Sequence, residues 1–160
     1  MITCIIGTRA QLVKMAPVII EIEKRLLPFQ IIMTGQHKNT MQTLLDDFGI
    51  QTLPQNLEPP REVSSIPRMI FWFPRLFIKM LWKRKLFQGD GKTGSWILVH
   101  GDTLSTLLGA GVGKFTQCKV AHIESGLRSR HFFNPFPEEI TRLLVFYLGD
   151  IGFCPRAMGF

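Results

Sequence analysis

Residues Trp96–Arg128 read WILVHGDTLSTLLGAGVGKFTQCKVAHIESGLR, and this stretch decides the fold. Trp96-Ile97-Leu98-Val99 is apolar without alternation, as in a strand covered on both faces. Gly101-Asp102-Thr103 turns the chain, and Thr103 or Asp102 can cap a helix running to Phe115. A second strand, Lys119–Ile123, ends in another polar cluster, Glu124-Ser125-Gly126-Leu127-Arg128. Strand, helix and strand in this order form a βαβ unit with parallel strands.

The pattern repeats on either side. Strands are expected at Ile2–Ile6, Gln30–Thr34 and, more briefly, Ile151–Phe153, with helices near Gln11–Arg25, Thr40–Phe48, Arg68–Lys85, Thr103–Phe115 and Glu138–Leu148. Gly49 and Gly149 suit helix C-caps. Pro54, Pro59, Pro60 and Pro67 make Gln51–Pro67 read as a loop. The expected class is α/β, a Rossmann-like parallel sheet with helices on both faces. At 160 residues and 46% apolar content, one folded domain over 1–160 is expected.

A formal charge of +7 calls for an anionic partner: nucleotide, phosphate, nucleic acid or membrane surface. No nucleic-acid recognition motif accompanies the charge, so nucleic acid is not expected. Cys4, Cys118 and Cys154 have neither disulfide nor zinc spacing and fit a reducing cytosol. The N-terminus lacks a basic leader and runs from strand into glycine turn, so a cytoplasmic location is expected.

In an open parallel sheet, ligands bind at the carboxyl ends of strands. Polar clusters stand there: Gly7-Thr8-Arg9, Gly35-Gln36-His37, His100-Gly101-Asp102-Thr103 and His122-Ile123-Glu124-Ser125. At the first, Arg9 and Lys14 can meet a phosphate beside a helix N-terminus, or Gly7 merely makes the turn. Asp102 is a site carboxylate or a cap. Glu124, at a buried strand end, is costly unless paired or used, and Arg128 is near enough in sequence to pair with it. Pro135 and Pro137 rigidify the approach to Glu138, which suits a general acid or base, while the helix dipole alone explains Glu139. His100 and His122 belong to no recognisable metal-ligand spacing, and no metal is expected.

The stretch Ile66–Phe87 is too short and too charged to span a membrane. Arg68, Arg75, Lys79 and Lys83 recur at intervals of seven and four, on one helical face. It reads as a crossover helix packing Phe and Trp on the sheet, or as a membrane-surface helix making peripheral contact through Arg68 to Lys85.

Taken together, Gly7-Thr8-Arg9 with Lys14-Met15-Ala16-Pro17, Thr34-Gly35-Gln36-His37, Leu98–Thr103, His122–Arg128 and Pro135–Arg142 resemble the UDP-N-acetylglucosamine 2-epimerase family over nearly the whole chain. The resemblance implies the N-terminal half of a two-domain enzyme built like a B-type glycosyltransferase, with the substrate in the cleft. It implies interconversion of UDP-N-acetylglucosamine and UDP-N-acetylmannosamine by elimination and re-addition of UDP, without a cofactor, and a homodimer for the full-length form. Asp102, Glu124 and Glu138 match carboxylates implicated in catalysis. Arg9 and Lys14 would approach the diphosphate of the UDP-sugar, and His37, Arg128 and Arg142 complete the substrate-binding set. Most uridine contacts and a catalytic histidine belong to the family's second domain, so this chain alone is expected to be inactive. Hydrolysing and non-hydrolysing members use much the same residues. Ala10 and Gln11 depart from the family's usual Pro and Glu. The alternatives are a noncatalytic remnant or interaction module with the same fold, and the acceptor domain of a B-type glycosyltransferase.

Overall fold

The computed structural model describes residues 1–35, 41–58, 66–88, 94–129, 131 and 136–155. The elements run β1 (Ile2–Ile6), α1 (Arg9–Lys24), β2 (Phe29–Met33), α2 (Met41–Asp47), β3 (Gln55–Asn56), α3 (Ile66–Trp82), α4 (Lys85–Gln88), β4 (Trp96–His100), α5 (Leu104–Phe115), β5 (Lys119–Ile123), α6 (Glu138–Leu148) and β6 (Ile151–Phe153). They form one parallel sheet in the order β3-β2-β1-β4-β5-β6, a Rossmann-like arrangement.

Alternation along each strand sends neighbours to opposite faces. Cys4, Ile6, Ile31, Leu98 and Ala121 pack beneath α1 and α2 with Leu12, Met15, Ile19 and Leu45. Ile5, Ile32, Ile97, Val99 and Val120 pack beneath α3, α5 and α6 with Leu76, Met80, Leu108 and Val145. Helix α5 lies close on the second face because it carries glycine: a Cβ at Gly113 would stand 2.4 Å from Val120 Cγ2, and one at Gly109 2.6 Å from Val99 Cγ1. The described residues cover the first face only in part. Beyond α1, an apolar groove of about 540 Å³ is lined by Ile2, Trp96, Ile123, Ile151 and Phe153 among others.

Strands β1, β4, β5 and β6 stand where the sequence puts them, and β2 begins one residue early. The expected loop over Gln51–Pro67 contains β3, whose polar, exposed Gln55 and Asn56 pair with Ile32 and Met33. The expected helix Arg68–Lys85 begins at Ile66 and stops at Trp82, and a short α4 follows. Gly49 has the left-handed φ of +69° expected of a C-cap, whereas Gly149 caps α6 in extended conformation. No helix among the described residues is long and apolar enough to cross a membrane.

Candidate functional site at the carboxyl edge

Strands β4 and β5 are paired in register over their full length, His100 beside Ile123, so the residues that follow them emerge together. Helix α6 precedes the parallel strand β6 and therefore starts at this same carboxyl edge. Topology alone thus brings Asp102, Glu124 and Glu138 to one edge.

The turn after β4 is fixed from two sides. Gln11 Nε2 lies 2.7 Å from the His100 carbonyl and 2.9 Å from the hydroxyl oxygens of Thr103 and Thr106. Gln11 Oε1 accepts from the Gly7 and Thr8 amides at 2.8 and 3.2 Å, which fixes which way the amide points. Thr8 caps α1 and accepts in turn from the Gln11 amide at 3.2 Å. One buried side chain therefore ties the β1–α1 turn to the β4–α5 turn. His122 does a similar service across the strands: its Nε2 lies 2.8 Å from the Gly101 carbonyl, to which it donates. Burial holds both His122 and His100 below the ordinary imidazole pKa, keeping them neutral.

Each described acid at this edge except Glu138 has a basic partner from another element. Lys14 of α1 donates to Glu124 Oε1 and Oε2 at 2.7 and 2.9 Å. His100 Nε2 stands 3.3 Å from Glu124 Oε2. The Lys14 hydrogen bond is the chief reason that the Glu124 carboxyl titrates below its ordinary value. Arg142 of α6 reaches Asp102 Oδ2 at 2.5 Å and Glu139 Oε2 at 3.5 Å. Arg128 Nε donates to Glu139 Oε1 at 2.5 Å, and the Ser129 amide to Glu139 Oε2 at 3.0 Å. Those partners, Arg128 first, pull the Glu139 carboxyl down to about 2.

Two sequence readings change. Arg128 pairs with Glu139 and not with Glu124, because the turn at Glu124 points that carboxylate back toward α1. Glu139 is more than a residue favoured by the helix dipole; fully buried, it bolts α6 to the segment that follows β5. Gly101 is needed for its φ of +70° rather than for space, since a Cβ there would lie an ordinary 3.8 Å from Glu124 Oε2. Glu124 itself holds a left-handed φ of +64°, a conformation costing a non-glycine residue on the order of 1 kcal/mol. The tertiary structure sustains that cost at a carboxylate, as happens where position matters.

Glu138 differs from its neighbours. It is half-buried on the first turn of α6, and its Oε2 is buried with no hydrogen-bond partner among the described residues. Arg9 is exposed at the start of α1. His37 lies outside the described residues. Among the described residues no three His, Cys, Asp or Glu side chains are grouped to hold a metal ion. Sequence reasoning passed over Gln11 as a mere departure and Glu139 as a dipole residue. The capping-box spacing Thr8-x-x-Gln11 carries the local half of the Gln11 signal.

Such an edge offers carboxylates to take and return a proton and cations to meet an anionic group. A family profile described as UDP-N-acetylglucosamine 2-epimerase matches residues 21–158. The UDP-N-acetylglucosamine 2-epimerase of Campylobacter jejuni is 31% identical over 155 residues, covering 96% of this chain and 38% of that protein. The enzyme of the same name from Bacillus subtilis is 30% identical over 152 residues, again 38% of its length. The crystal structure of the Neisseria meningitidis UDP-GlcNAc 2-epimerase bound to UDP-GlcNAc superposes with a TM-score of 0.79 at 28% identity, over 96% of this chain and 40% of that one. The present chain thus spans about two-fifths of the length of the curated relatives it matches.

Proposed function

Since this chain belongs to the UDP-N-acetylglucosamine 2-epimerase family, we propose that it supplies the carboxylate edge of a cytoplasmic enzyme inverting C2 of UDP-N-acetylglucosamine. The observation that carries the proposal is the Lys14–Glu124 pair beside the Arg142–Asp102 pair at the ends of adjacent strands. A sugar diphosphate is an anion that competes with carboxylates for those cations.

The chemistry needs two opposed proton transfers. A base removes the C2 proton, the C1–O bond breaks and UDP leaves; UDP then re-adds to the glycal while an acid returns a proton to the other face of C2. Lys14 connects the diphosphate to the base. Its side chain is 54% exposed, so its ammonium can turn to the diphosphate. Glu124 then loses the hydrogen bond that depresses its pKa and becomes the stronger base. Asp102, clasped by Arg142, keeps its charge and its place. Glu138, with a buried oxygen that has no partner among the described residues, is suited to deliver the second proton. Arg9 adds charge at the α1 N-terminus, and His37, Arg128 and Arg142 complete the substrate set. Under this reading Arg128 and Arg142 act by holding α6 and Asp102 as much as by meeting substrate. The full-length form is a homodimer in the same proposal.

The test is a chimaera joining residues 1–160 to the remainder of the Bacillus subtilis relative, with epimerisation followed by NMR of the sugar anomeric protons. Turnover by the chimaera, with none by the 160-residue chain alone, is expected. A folded chimaera that binds UDP-N-acetylglucosamine without turning it over would overturn the proposal in favour of a noncatalytic module.

A further inference from the structure

Helix α3 gives one face to the core and leaves another uncovered by the described residues. Trp72, Leu76 and Met80 are buried against the sheet. Phe71, Ile78 and Trp82, spaced by seven and four residues, share the outer face and are 77%, 52% and 87% exposed. Cations flank this apolar line. Arg68, Arg75 and Lys79 form the adjoining stripe, and Lys83, Arg84 and Lys85 follow the helix end. Not one Asp or Glu occurs from Ile66 to Gln88. Glu58 engages two of the six cations, with Arg75 at 3.3 Å and Lys79 at 3.8 Å. Arg68, Lys83, Arg84 and Lys85 are exposed and have no ion pair among the described residues. An apolar groove of about 280 Å³, lined by Ile70 and Pro74 of α3, Leu104 and Leu107 of α5 and Pro137, extends the surface toward the start of α6.

A contiguous exposed apolar surface marks an interaction site more often than chance. The cations choose the partner. An apolar line meant for another helix needs no unopposed charge beside it, whereas an anionic bilayer presents an apolar layer beneath a layer of phosphates. Tryptophan also favours that boundary. We propose that α3 lies in the plane of an anionic membrane surface, with Phe71, Ile78 and Trp82 at the headgroup boundary and Arg68, Lys83, Arg84 and Lys85 against lipid phosphates. The docking is peripheral and reversible, and it stands independently of any turnover at the carboxyl edge.

The purified chain is sedimented with phosphatidylcholine vesicles, with and without phosphatidylglycerol, at low and high salt. Pelleting that requires phosphatidylglycerol and low salt is expected, together with a blue shift of tryptophan emission that disappears in Trp82→Phe. Trp72 is buried already and reports no such change. Reversing Arg68, Lys83 and Arg84 to Glu should weaken partitioning by about a hundredfold or more, since each cation near such a surface contributes about fivefold. Phe71→Ser with Trp82→Ser should weaken it by about tenfold or more through lost apolar burial. Circular dichroism confirms that these surface variants fold. Absence of pelleting at low salt, equal pelleting on neutral vesicles, or anionic pelleting unchanged by both sets of substitutions would overturn the proposal. A dimer by sedimentation equilibrium that Trp82→Ser dissociates, with no vesicle binding by the native chain, would overturn the proposal and assign the face to self-association instead.

Discussion

At the carboxyl edge of the sheet Lys14, Arg128 and Arg142 each touch a carboxylate from another element, whereas along α3 Arg68, Lys83 and Arg84 touch none among the described residues. The edge uses charge to fix geometry: Glu139 is fully buried, and its two arginines come from the segment after β5 and from α6. Arg75 and Lys79 of the helix meet Glu58, but Arg68 and, past the helix end, Lys83 and Arg84 keep their charge in solvent, beside exposed aromatic rings. Net positive charge therefore carries two meanings within one small chain. Where cations are paired across elements, removal of one partner disturbs the architecture; where they are unpaired on a surface, removal alters association and leaves the fold nearly untouched.

Substitution at the edge sharpens this contrast most. In the chimaera with the Bacillus subtilis relative, Glu124→Gln and Glu138→Gln should each lower turnover by about two orders of magnitude or more, the worth of a positioned proton-transfer group. A fall of less than about threefold in either would remove that residue from the proton-transfer pair.

Next in size is the bolt. Glu139→Gln removes the charge that Arg128 and Arg142 share and should lower the melting temperature of the chain by about 5 °C or more, read by circular dichroism. The same pairing gives a pH dependence of known sign. Glu139 titrates near 2 in the folded chain against an ordinary 4.5, so its contribution is complete above about 4.5 and is lost as the pH falls from there toward 2. His100 and His122, lowered by burial, add a loss that begins as the pH falls through the ordinary imidazole value of 6.5, where the unfolded chain takes up protons first. Glu139→Gln should flatten the acid limb between about 4.5 and 2, and an unchanged limb would detach stability from this carboxylate.

Gln11→Ala should cost about 2 kcal/mol by denaturant titration, because it leaves the Gly7 and Thr8 amides without their acceptor and the His100 carbonyl with the Thr106 hydroxyl alone. The smallest effect is expected on α3. Trp82→Ser and Lys83→Glu should each change stability by less than about 0.5 kcal/mol, as at other exposed positions. A larger loss in either would mean that α3's outer face serves the fold, and the contrast between the two regions would fail.

How much of this was legible in the sequence follows from how far each interaction reaches. Strands β1, β4 and β5 announce themselves because their apolar residues are contiguous and both faces are needed for the core. Strand β3 does not, since Gln55 and Asn56 are polar and exposed and join the sheet through backbone pairing and one Gln55–Gln30 side-chain hydrogen bond, with no apolar signal. The convergence of Asp102, Glu124 and Glu138 could be foreseen, because a parallel sheet sends every such loop to the same edge. Partner choice could not. Arg128 is four residues from Glu124 and pairs instead with Glu139, eleven away, because the left-handed turn at Glu124 sends the two side chains apart. Gln11 likewise joins atoms 89 positions distant, a link that no local pattern encodes. On α3 the cationic stripe was readable from spacing, while the capture of Arg75 and Lys79 by Glu58 was not.

Deuterium exchange at C2 tests the central claim most directly, because it reads proton transfer at this edge without relying on net epimerisation. The chimaera is incubated with UDP-N-acetylglucosamine in heavy water, and the C2 proton is followed by NMR beside the Glu124→Gln variant. Deuterium should enter C2 of the nucleotide sugar with the native edge, and do so about a hundredfold more slowly with Glu124→Gln. A folded, substrate-binding chimaera that leaves the C2 proton in place, or one whose exchange is indifferent to Glu124→Gln, would contradict the account.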